Sequence, residues 1–65
     1  MVSQFKKGII ISACYLVRAY GMPSVAANLL HEYGITKKII MASAEYDKDV
    51  LLPLYKSESI LRGDA

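Results

Sequence analysis

A chain of 65 residues allows one domain near the lower limit for independent folding, burying only about 60% of its unfolded surface. One cysteine cannot close an intrachain disulfide, and one cysteine with one histidine cannot complete a structural zinc site, which excludes two common staples of small proteins. The net charge of +2 is too small to mark a nucleic-acid binder, yet 54% of the residues are hydrophobic, and that excess points to association with another surface.

The charge is unevenly placed. Residues 1–38 carry Lys6, Lys7, Arg18, Lys37 and Lys38 against Glu32, a balance of +4. Residues 39–65 carry Lys48, Lys56 and Arg62 against Glu45, Asp47, Asp49, Glu58 and Asp64, a balance of −2. Such asymmetry suits complementary packing between subunits or an acidic partner for the first half.

The first predicted helix starts near Ser3, a candidate N-cap, and ends at Tyr20, where Gly21 can take the left-handed C-terminal position. On a 3.6-residue wheel Phe5, Ile9, Ala13, Leu16 and Tyr20 form an apolar stripe flanked by Ile10 and Val17. The opposite side carries Lys7, Ile11, Cys14 and Arg18, so apolar groups stand between the charges. A helix apolar nearly all round needs partners on more than one side, and so short a chain has little to offer. Lys7, Ile11, Cys14, Tyr15 and Arg18 are therefore candidate interface residues. The same stretch resembles a signal peptide, with Ile11-Ser12-Ala13-Cys14 similar to a bacterial lipobox. Its apolar core before Cys14 is short for that role, and far below the roughly 20 residues that span a bilayer. The expectation is a cytoplasmic protein with a reduced, buried Cys14 and no membrane partner.

Pro23 suits the first turn of a second helix, whose stripe is Val25, Ala26, Leu29, Leu30 and Tyr33. Gly34 ends it, and Ile35 supplies the apolar contact that accompanies a glycine C-cap. Thr36 then caps a third helix running through Ile39, Ile40, Met41, Ala42 and Ala44. Pro53 cannot sit in a helix interior, so a break is expected between Tyr46 and Pro53, with Asp47 able to cap a fresh start. A short fourth element using Leu54, Tyr55, Ile60 and Leu61 follows, and residues 62–65 should fray. The predicted fold is all-α: a single domain over 1–65, three helices plus a short fourth helical element, associating through the first helix.

The segment from Leu29 to Ile40 resembles the helix-turn-helix of DNA-binding regulators. Gly34 matches the turn glycine and Ile35 and Ile40 the apolar positions around it. That resemblance implies a dimer, with Thr36, Lys37 and Lys38 reaching phosphates. Leu30 stands where the motif has a small residue, and Met41, Ala42 and Glu45 occupy the base-facing positions, without Arg, Gln or Asn to read purines.

Tyrosine is favoured at interfaces; of the five present, Tyr15 falls off the core stripe of the first helix and Tyr46 sits beside the acidic break, which makes these two interface candidates. Glu45, Asp47 and Asp49 lack the glycine and closing glutamate of a calcium loop. Cys14 and His31 lack the orienting third group of a nucleophile–base pair. No phosphate-binding glycine loop or cofactor motif is present, so the chain is read as a non-enzyme. The expected partners are a second copy of itself and another protein, with nucleic acid as the second choice. In size and style it is similar to the accessory proteins with which bacteriophages and mobile elements block host or defence proteins, which implies an adaptor or inhibitor acting by steric occupation.

Overall fold

A computed structural model describes residues 3–42 and 45–63, with side chains omitted at 45–47. Within it, Ser3 accepts a hydrogen bond from the Lys6 amide at 3.1 Å and opens α1, Gln4–Tyr20. At about 1.5 Å per residue α1 is roughly 25 Å long, so it runs the full 26 Å length of the molecule. Gly21, at φ 59°, reverses the chain, and the Met22 amide returns to the Leu16 carbonyl at 3.1 Å. Pro23 occupies the first turn of α2, Pro23–Glu32. This helix closes in a Schellman motif: Gly34 is at φ 65°, the Ile35 amide bonds the Leu30 carbonyl at 2.9 Å, and the Gly34 amide bonds that of His31 at 3.1 Å. Thr36 accepts from the Ile39 amide at 3.3 Å and starts α3, Lys37–Met41.

The second half is more segmented than its sequence suggests. The third helix ends at Met41, short of the predicted run; Ala44 lies outside the described residues. A separate α4, Glu45–Leu51, follows. Asp47 falls within α4 and not at its start, and its side chain, like those of Glu45 and Tyr46, lies outside the described residues. The break at Pro53 is where proline chemistry puts it: α4 stops at Leu51, and Leu52 and Pro53 turn the chain. Beyond it α5, Leu54–Ser57, and α6, Ser59–Arg62, meet at the extended Glu58. The described residues thus form six helical segments and no strand, an all-α fold.

α1 packs on α2 and α4, while α5 and α6 close over α2. The core joins Ile10, Ala13 and Cys14 of α1 to Ala26, Ala27 and Leu30 of α2. Ile35, Ile40, Leu51, Leu54, Tyr55 and Leu61 complete it. Small residues at 13, 14, 26 and 27 let the first two helices approach closely. That choice turns both helices relative to their predicted stripes. Ile10 and Cys14 face inward, whereas Phe5 and Tyr20 are 62% and 59% exposed. On α2, Val25 and Tyr33 also lie outside, and Ala27 takes their place in the core.

The radius of gyration is 10.2 Å, against about 10.7 Å for a compact domain of this length. The accessible surface of 4156 Å² matches the roughly 4,100 Å² of a folded monomer of 7.2 kDa. Within one chain Ile10, Ala13 and Cys14 bury one face of α1. What it leaves over is the rest of the helix surface.

Candidate functional site: the outer surface of the first helix

With the face of Ile10, Ala13, Cys14 and Val17 turned inward, the 100° rotation per residue places Lys7, Ile11, Tyr15 and Arg18 in a strip about a quarter turn round the helix from it. All four are exposed. Ile11 is 53% and Tyr15 58% exposed, two large apolar side chains one turn apart on the same strip. The rings of Tyr15 and Tyr20 meet edge to face, with centroids 5.5 Å apart and planes at 83°. That contact holds one tyrosine against another outside the core, giving the ridge a stiff aromatic end. Lys7 and Arg18 bracket the two apolar groups with positive charge.

Four of the six predicted interface residues thus share one strip. Cys14 does not: at 6% exposure it belongs to the core, so no outside surface can use it while the chain stays folded. Tyr46 lies outside the described side chains.

The residues named for nucleic acid are arranged differently. The Thr36 oxygen is engaged as the cap of α3, Lys37 is half-buried and Lys38 is exposed. The helix they open has five residues, about 7.5 Å of axis, which offers a major groove little more than one turn. Met41 is 55% exposed at its far end.

Among the described residues no group of three or more His, Cys, Asp and Glu is placed to hold a metal ion. No described helix is long and apolar enough to cross a membrane. The buried phenol of Tyr55 is spent on structure: it donates to the Ile35 carbonyl within the core. Sequence reasoning missed Phe5, Tyr20, Val25 and Tyr33 as surface residues because it assigned their apolar stripes to the core. The paired small residues Ala13-Cys14 and Ala26-Ala27 were the available sign of which faces meet.

No family model matches the chain, and no curated protein or solved structure matches it.

Proposed function

We propose that this protein is a small interaction module, an adaptor or inhibitor, that binds another protein through the outer strip of α1. The observation that carries this reading is the exposure of Ile11 and Tyr15, one turn apart on a helix already anchored by a neighbouring face. Each would bury apolar area on contact, at roughly 25 cal/mol per Å² before the losses of association are counted. Tyrosine and arginine are residue types on which interface energy concentrates. Lys7, exposed on this strip, selects a partner whose rim is acidic and speeds encounter at low salt. The mechanism is steric: a preformed helical ridge occupies a surface that the target needs, with no chemistry of its own.

The test is affinity capture from a lysate with four forms of the protein. Wild type and a Lys37→Glu/Lys38→Glu variant should retain the same captured protein, while Ile11→Glu and Tyr15→Ala should lose it. Salt-dependent binding to duplex DNA, abolished by the lysine changes and untouched by Ile11→Glu, would replace this reading with that of a DNA-binding regulator.

A further inference from the structure

A second apolar surface lies around the edge of α1 from the proposed partner strip. Phe5, Ile9, Leu16 and Tyr20 recur at spacings of 4, 7 and 4 along α1, and Met22, Val25, Leu29 and Tyr33 at 3, 4 and 4 from the N-cap to the C-cap of α2. These are two parallel stripes on an antiparallel hairpin. They come together on its outer side, because the Phe5 and Tyr33 rings meet edge to face at 5.4 Å. Phe5, Tyr20, Met22, Val25 and Tyr33 are all more than 40% exposed; Ile9, Leu16 and Leu29 form the half-buried floor against the core. Eight apolar side chains thus line one face as long as the molecule.

We infer that this hairpin face is the interface of a symmetric homodimer. Two observations favour a second copy over other occupants. The first is charge. A two-fold interface sets each patch against itself, so a strongly charged face repels its own copy. Among the described residues no lysine or arginine shares these stripes; Lys7 and Arg18 fall on the far side with Ile11. Glu32 stands at one end, beside Tyr33. An axis through the middle of the hairpin sets the Phe5–Tyr33 end of one copy against the Tyr20–Met22 end of the other, keeping the two Glu32 carboxylates apart. An anionic lipid surface would instead call for lysine and arginine around the apolar patch. The second is size. A standard interface takes about 800 Å² per partner, roughly a fifth of the 4156 Å² available here, and a face running the full 26 Å can supply it. The dimer would leave Lys7, Ile11 and Arg18 outside, with Tyr15 at the border where its ring meets Tyr20, so each assembly presents two copies of the strip.

Sedimentation equilibrium over a hundredfold concentration range tests this. Wild type should approach twice the 7.2 kDa of the chain. Val25→Glu places a carboxylate in the first turn of α2, where the helix dipole favours it, and should leave the helical circular dichroism intact. Burying that charge at an interface should raise the dissociation constant at least a hundredfold. Met22→Glu should act alike, and Ile11→Glu should leave the mass unchanged. A wild-type chain monomeric throughout would overturn the inference, as would a mass lowered by Ile11→Glu but not by Val25→Glu. Monomers that sediment with phosphatidylglycerol vesicles, and lose this through Val25→Glu, would assign the face to a lipid surface instead. Because Ile11→Glu reads the partner strip and Val25→Glu the dimer face, either surface can fail without the other.

Discussion

The phenol of Tyr55 donates its hydrogen to the main-chain carbonyl of Ile35, tying α5 to the turn between α2 and α3 across 20 positions of sequence. Both residues are almost wholly buried, Tyr55 at 2% and Ile35 at 0% exposure. The bond therefore satisfies a carbonyl that water cannot reach, and it fixes where the C-terminal segments sit. Replacing Tyr55 by Phe keeps the ring and removes the donor. The expected loss is about 1–3 kcal/mol, the usual penalty for an orphaned buried acceptor. In a domain this small each kcal/mol lowers Tm by about 4–8 °C, which a thermal melt resolves.

Two glycines should respond oppositely to alanine. Gly34 sits at φ 65° and makes the Schellman turn, so Gly34→Ala forces a side chain into the left-handed region and should cost about 1–2 kcal/mol. Gly8 lies inside α1 with no positive φ, and an added Cβ would meet no atom within 4 Å. Gly8→Ala should therefore stabilise by about 0.5–1 kcal/mol, since glycine is a poor helix former. Urea titrations of the two variants should move the midpoint in opposite directions.

Leu61 is fully buried although it sits in a four-residue helix close to the chain end. Leu→Ala changes in cores cost about 2–5 kcal/mol, and a chain of this size has only about 3–5 kcal/mol to lose. Leu61→Ala should leave much of the population unfolded at 37 °C, visible as lost helical circular dichroism. The change Ile60→Ala at the exposed neighbouring position should have little effect.

The local punctuation of the fold was legible in the sequence. Ser3, Gly21, Pro23, Gly34 and Thr36 act through a few neighbouring backbone groups, so their residue types identify their roles without knowledge of the rest. The direction each helix faces was not legible. α1 is apolar on several sides, so its periodicity is compatible with more than one inward face. Packing settled the matter: Ala13, Cys14, Ala26 and Ala27 allow close approach, and the large rings of Phe5, Tyr20 and Tyr33 stay outside. The C-terminal half was also harder to read. Its segments of four to seven residues are too short to show a period, and their ends are set by contacts such as Tyr55 to Ile35. For the candidate site, Ile11 and Tyr15 could be found by their position between Lys7 and Arg18. The burial of Cys14 could not be reconciled with the same face.

Thr36→Ala tests the cap of α3. Losing the Thr36 oxygen should cost about 1 kcal/mol, because it accepts from the Ile39 amide at the start of α3. Thr36→Ser should recover most of that in a denaturant titration.

The central claim is that the first two helices carry more apolar surface than one chain can cover, and its most direct test is how the urea midpoint depends on protein concentration. Folding coupled to association makes the midpoint rise as the protein is concentrated. Wild type should show that rise, and Val25→Glu should not. A wild-type midpoint that stays constant over a hundredfold range of concentration would contradict the claim.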